Sequence, residues 1–282
     1  MNEFQHFFSD KNILVYDQGC LSPKDYYTPF ALTDVLTTYS GVHNQPIIHF
    51  WQLDRAMILG MKDTRVTHLD KGICALKQAG YPVILRNSGG LGVIADKGIL
   101  NVSLILPNLK EKKLEIDYAY TLMWAWLKST FQTKHLSIDA FEITDSYCPG
   151  TFDLSINGKK FAGIAQRRVK DGIAVMIYLS VNGDQKMRGE SVRRFYQASL
   201  GDAFGTNGYP PVNPSVMANL DELTGQLLTI NKVKEQLLSV FLPSKLDDHS
   251  LIKIMETEAF QSDFNRQLVK MKERNNVLNL EE

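Results

Sequence analysis

The dipeptide Asn157-Gly158, set between two runs of strand-forming residues, constrains the fold of this chain more than any other stretch. Asn-Gly is the strongest short hairpin signal, because both residues accept the positive φ that a type I′ turn requires. Residues 152–156 enter the hairpin and residues 160–168 leave it, which places Lys160 opposite Ser155. Lys170-Asp171-Gly172 turns the chain again, and residues 173–181 supply a third strand. This stretch is an antiparallel meander.

Upstream, residues 25–39 follow Ser22-Pro23 and carry Ala31, Leu32, Val35 and Leu36 at helical spacing. Residues 47–52 and 55–60 read as strands, and 70–79 as a helix stopped by Gly80 and Pro82. Strands over 83–85 and 98–106 precede a long amphipathic helix over 115–131. Strands mixed with helices, several joined by tight turns, predict an α+β fold with a mixed, largely antiparallel sheet flanked by helices. The Gly-, Pro- and Asn-rich stretch 201–214 marks a change in composition, and helical segments follow over 220–228, 233–241 and 252–274. The expected division is a catalytic α+β domain over 1–190 and a small helical C-terminal extension over 191–282.

With 44% hydrophobic residues in 282, the chain can bury a full core, which excludes a disordered protein. Lys plus Arg and Asp plus Glu each number 31, so no basic excess selects nucleic acid as a partner. The local basic cluster Lys159, Lys160, Arg167, Arg168 and Lys170 suits either an acidic protein or plain solvent. The beginning of the sequence lacks the order of a signal peptide, and no apolar run reaches the roughly 18 residues of a membrane span, so no membrane association is expected. Three widely spaced cysteines, Cys20, Cys74 and Cys148, show no metal-ligand spacing and suit a reduced, cytoplasmic protein.

Three segments carry candidate chemistry. Arg86-Asn87-Ser88-Gly89-Gly90-Leu91-Gly92 follows a strand, and its glycines let backbone approach a ligand or present N–H groups to it. It is neither a dinucleotide fingerprint nor a P-loop. Cys148 precedes Pro149-Gly150 and so sits in a turn, where an exposed thiol is plausible. A nucleophilic thiol needs positive charge nearby, for which Lys159 and Lys160 are candidates. Cys20 and Cys74 fit better as buried, inert thiols, the latter beside Ile73 on a helix. In Asn157-Gly158-Lys159-Lys160-Phe161-Ala162-Gly163, the small residues Ala162 and Gly163 leave room for something to approach the strand. Seven residues separate Cys148 from Ser155, an extended span of about 23 Å. Cys148 and Lys160 therefore meet only if Pro149-Gly150 folds the chain back. The six histidines are scattered, and none forms a nucleophile–base motif with Cys148.

Together these segments resemble the biotin/lipoate protein ligase superfamily, over residues 30 to 185. The resemblance is carried by Arg86 to Gly90, by Gly98-Ile99-Leu100-Asn101-Val102-Ser103-Leu104, and by Asn157 through Gln166. Ser146 to Ser155, which reads Ser-Tyr-Cys-Pro-Gly-x-Phe-Asp-x-Ser, is similar to the amidotransferase branch that handles octanoylated glycine cleavage H protein. That kinship implies a class II synthetase-like fold. It implies Cys148 as the acyl-thioester nucleophile and Lys160 as the residue that lowers its pKa. Arg86, Ser88, Gly89, Gly90, Ala162 and Gly163 would bind the substrate. The implied reaction moves an octanoyl or lipoyl group from the H protein to the lysine of a 2-oxoacid dehydrogenase lipoyl domain, with no metal or cofactor. In this chain Asn87 stands where relatives often carry a second arginine, and Leu91 interrupts the glycine run usual in ATP-dependent lipoate ligases. Such a ligase is the alternative reading and would leave Cys148 dispensable. A non-catalytic lipoyl-domain binding protein is the third.

Overall fold

The computed structural model describes residues 3–109 and 113–278. In chain order the elements begin with α1 (Glu3–Phe8), β1 (Ile13–Leu21), α2 (Thr28–His43), β2 (Ile47–Leu53), β3 (Arg55–Leu59) and α3 (Leu69–Gln78). Next come β4 (Val83–Leu85), β5 (Val93–Asp96), β6 (Ile99–Pro107), α4 (Ile116–Phe131), β7 (Asp139–Ala140), β8 (Leu154–Ile156), β9 (Lys159–Val169) and β10 (Gly172–Ser180). The chain continues with α5 (Gln185–Leu200), α6 (Leu220–Thr224), α7 (Ile230–Leu238), β11 (Leu246–Asp247), α8 (Ser250–Met255) and α9 (Glu258–Asn275).

Among the described residues, eight strands form one sheet in the order β11-β1-β2-β6-β10-β9-β8-β7. Its pairs are antiparallel except β1–β2 and β1–β11. A smaller sheet, β4-β3-β5, stands beside it. The fold is α+β with a mixed, mostly antiparallel sheet between helices, as the turn signals predict.

β6 shows why the sheet is covered on both faces. Eight of its nine residues are buried, so it reads as a continuous apolar run rather than an alternation. Leu100, Val102, Leu104 and Leu106 pack with α1, α4 and α7, whereas Ile105 packs with α2. The Asn157-Gly158 turn forms as expected, with φ of 51° and 73°, and Ser155 pairs with Lys160. β8 matches β9 only over Lys159 to Ala162. From Gly163 onward, that edge of β9 carries no strand partner among the described residues.

Some elements escape the pattern. α5 buries Gln185 and Arg188, so its inward face is too polar to read as amphipathic. Residue 190, where a boundary is expected, lies inside this helix, and β11 from the C-terminal stretch joins the large sheet beside β1. The helix expected over 252–274 is two helices, because Thr257 caps a new start by accepting the Phe260 N–H. Cys20 and Cys74, expected to be buried, are exposed. One residue along a helix turns about 100°, so Cys74 points away from the face that buries Ile73. No described helix is long and apolar enough to cross a membrane.

His49 is fully enclosed between Gln18 Oε1 at 2.9 Å and Thr33 Oγ1 at 3.3 Å. Desolvation pushes its pKa down to about 3. The unfolded imidazole titrates near 6.5, so the unfolded chain takes up a proton first as the pH falls below that value. His49 should therefore cost about 2 kcal/mol of stability at pH 5 relative to pH 7. Urea unfolding of His49→Gln between pH 7 and pH 5 is expected to show a correspondingly flatter pH dependence.

Candidate active site

Three segments converge where β8 ends and the edge of β9 runs on without a strand partner among the described residues. The first is the turn from Ser146 to Asp153. Asp153 N donates to Gly150 O at 3.0 Å, so Pro149-Gly150 does fold the chain back. Cys148 has φ 47°, a left-handed conformation rare outside glycine and asparagine. Its carbonyl and its thiol go to different partners.

The carbonyl goes to Lys160, the second segment. Lys160 is 4% exposed, and its Nζ reaches Asp153 Oδ1 at 2.9 Å. It also donates to Ser146 Oγ at 3.0 Å, Tyr147 O at 3.0 Å and Cys148 O at 2.8 Å. An ammonium has three protons, and here four oxygens surround it. Burial pushes the Asp153 carboxyl above its ordinary value; Lys160 and the N–H groups of Ile143 and Gly150 pull the other way.

The thiol goes to the third segment, the glycine loop. Leu91 N donates to Cys148 Sγ at 3.1 Å, and Arg86 Nη2 lies 3.6 Å from it. Arg86 Nη2 also donates to Leu91 O at 2.9 Å, so one guanidinium ties both ends of the loop to the sulfur. Gly90 has φ 95°, and a Cβ there would fall 2.9 Å from Cys148 Sγ. A Cβ on Gly60 would collide with the Gly90 carbonyl, so the loop lies directly on the end of β3. Beyond Leu91, Gly92 N donates to Tyr196 Oη at 3.2 Å, which donates to Asp63 Oδ1 at 2.8 Å. Burial pushes the Asp63 carboxyl up to about 6. On the other side Asn87 donates to Asp34 Oδ2 at 3.0 Å, and Arg167 pairs with Asp34 and donates to Asn87 O at 2.8 Å.

These segments wall a cavity of about 240 Å³. Arg86, Cys148, Asp153 and Lys160 give it one polar end, and Val93, Tyr120, Ile164, Met176 and Tyr178 make the rest of the wall largely apolar. It is smaller than the ~300–1,000 Å³ usual for drug-sized ligands, which suits a slender chain. Gly89, Gly90 and Gly163 line it, whereas Ser88 and Ala162 lie outside its wall. Ala162 is instead packed in the core between Leu154 and Leu179. Lys159 is exposed on the hairpin turn. The basic cluster is not one patch, because Lys160 is buried and Arg167 is paired.

The lipoyl protein ligase A/B catalytic domain model matches residues 25–242. The chain belongs to the lipoyl protein ligase A/B family. Within it, the chain is 42% identical over 221 residues, 78% of each protein, to octanoyl-[GcvH]:protein N-octanoyltransferase of Geobacillus kaustophilus. It is 43% identical over 218 residues, 76% of this chain and 78% of the other, to lipoyl-[GcvH]:protein N-lipoyltransferase of Listeria monocytogenes. The fold matches a crystal structure of lipoate-protein ligase A bound with ATP at TM-score 0.67 and 19% identity, over 92% of this chain and 94% of that one.

The family motifs bring Arg86, Cys148 and Lys160 together. Sequence reasoning missed Asp153, although it lies inside the run that contains Cys148; a lone aspartate carries no signature until its ammonium partner is seen. It also missed the Leu91 N–H, because no side-chain pattern reports a backbone donor. Removing one partner of a buried ion pair strands the other. Lys160→Met is expected to cost about 3–5 kcal/mol of stability in urea unfolding. Adding Asp153→Asn should recover part of that loss.

Proposed function

We propose that this protein is an acyltransferase that moves octanoyl or lipoyl from the lysine of glycine cleavage H protein to lipoyl-domain lysines of 2-oxoacid dehydrogenases, through a thioester on Cys148. The observation that carries this reading is the thiol itself. Cys148 Sγ faces a guanidinium and a backbone N–H at the polar end of a small cavity whose remaining wall is largely apolar. The names of its close relatives point to the same reaction.

In the first step the Cys148 thiolate attacks the carbonyl carbon of the acyl-lysine amide. The carbon–nitrogen bond breaks, and the carrier lysine leaves as an amine after taking up a proton. In the second step the neutral acceptor lysine amine attacks the thioester, the carbon–sulfur bond breaks, the amine gives up one proton in place of the one the carrier amine took up, and the thiolate returns. An amide is exchanged for an amide, so the net reaction needs no ATP.

Arg86 Nη2 and the Leu91 N–H are the two donors placed on the sulfur, and on this reading they hold it in position to attack the amide. Lys160 acts from the other side. Its ammonium adds positive potential near the sulfur, partly cancelled by Asp153, and its bonds to Tyr147 O and Cys148 O hold the residue in its left-handed conformation. Gly89, Gly90 and Gly163 keep side chains out of the path of the acyl carbonyl. Three free thiols suit a reduced cytoplasmic setting.

Incubating the protein with octanoylated H protein and no ATP should add one octanoyl mass that hydroxylamine removes and that maps to Cys148. Cys148→Ala should fold and carry no adduct; transfer by that variant would refute the mechanism. Burial of an eight-carbon chain contributes on the order of 5 kcal/mol at ~0.8 kcal/mol per methylene. Shortening the acyl group by two carbons should therefore lower kcat/KM about 15-fold in steady-state transfer assays.

A further inference from the structure

The C-terminal helix bonds to the strand that leads into the thiol site. β4 is an edge strand of the small sheet, and its last residue, Leu85, immediately precedes Arg86. On its free side Leu85 meets Asn275 of α9, which is 4% exposed. Leu85 N donates to Asn275 Oδ1 at 2.7 Å, and Asn275 Nδ2 donates to Leu85 O at 3.0 Å. The carboxamide thus presents one acceptor and one donor side by side, the pattern a neighbouring strand residue would present. Asn275 Nδ2 also donates to Met271 O at 2.9 Å, which fixes the amide on its own helix. The next link is Arg86, whose N–H donates to Leu59 O at 2.9 Å and whose guanidinium meets Cys148 Sγ.

We infer that Asn275 is a positioning residue for the reacting thiol: it clamps the end of β4 from the C-terminal helix and so sets where the Arg86 guanidinium stands relative to Cys148. The route is continuous and short, Asn275 to Leu85 to Arg86 to sulfur. The buried amide can be replaced by no other neutral side chain of that length without losing one of the two bonds. An apolar residue would leave the Leu85 N–H and C=O unsatisfied at the point where the catalytic loop begins. This inference rests on Cys148 as the reacting thiol.

The test follows the thiol, and it needs no acyl donor, so it is decided separately from the acyl-transfer reading. Cys20 and Cys74 are first replaced by serine, because both are exposed and would also react. The rate of iodoacetamide alkylation of Cys148 is then measured against pH in the full-length chain, alongside thermal unfolding. The other charged and titratable groups around the sulfur, Arg86, the Lys160–Asp153 pair and the Tyr196–Asp63 pair, are unchanged. Asn275→Leu is expected to slow alkylation of Cys148 severalfold at equal pH, because the Arg86 guanidinium no longer stands against the sulfur. Asn275→Asp keeps the acceptor for Leu85 N–H and loses the donor, so it should fall between the two, and it serves if the leucine variant does not fold. In an Arg86→Gln background Asn275→Leu should have no further effect on the profile. A wild-type profile in Asn275→Leu, or an equal additional loss in the Arg86→Gln background, would overturn the inference.

Discussion

One buried ammonium holds the candidate site together. Lys160 enters from a strand, and the oxygens it binds all come from the turn between Ser146 and Asp153. That turn would otherwise aim two backbone carbonyls and a carboxylate at one another. The cation makes the arrangement attractive, and burial makes it all-or-none, since a charge with no counter-charge at this depth is strongly unfavourable. The position of Cys148 is thus a by-product of satisfying Lys160.

The two cations near the thiol divide the work. Arg86 is within reach of sulfur, and Lys160 is within reach of the carbonyl of the same residue. The glycine loop that carries Arg86 is itself held from several directions: by Tyr196 and Asp63 at Gly92, by Asp34 and Arg167 at Asn87, and by Asn275 just before it. Glycines make such a loop able to approach sulfur closely, and the same absence of side chains leaves Leu91 as its buried apolar anchor. The rest of its order is supplied by polar contacts from α2, α5, α9 and β9.

The meander was legible because its turn residues have narrow conformational requirements. Asn157-Gly158 and Lys170-Asp171-Gly172 gave β8, β9 and β10 in register, and through them the Ser155–Lys160 pairing. The need for Pro149-Gly150 to fold back was also visible as a distance problem. α5 was not legible, since Arg188 and Gln185 are buried by a polar network with Asp96, Ser180 and Asn219 rather than by apolar contact. Nor was the clamp on Leu85, because an asparagine 190 positions away in sequence has no local pattern that would mark it. Hydrophobic periodicity reports how elements face the core; the contacts that aim a thiol are polar, long-range and single.

The left-handed turn at Cys148 has one more consequence. It sends the oxygen of the residue into the protein and the sulfur into the cavity, at a strain on the order of 1 kcal/mol. An acyl group bound to the sulfur would lie on the cavity side, away from the oxygen that Lys160 holds. On the proposed reaction, the free and loaded enzymes then share one scaffold, and neither is favoured by refolding. The chain would work as an unbiased exchanger, and the direction of traffic would follow the relative abundance of loaded and empty carriers.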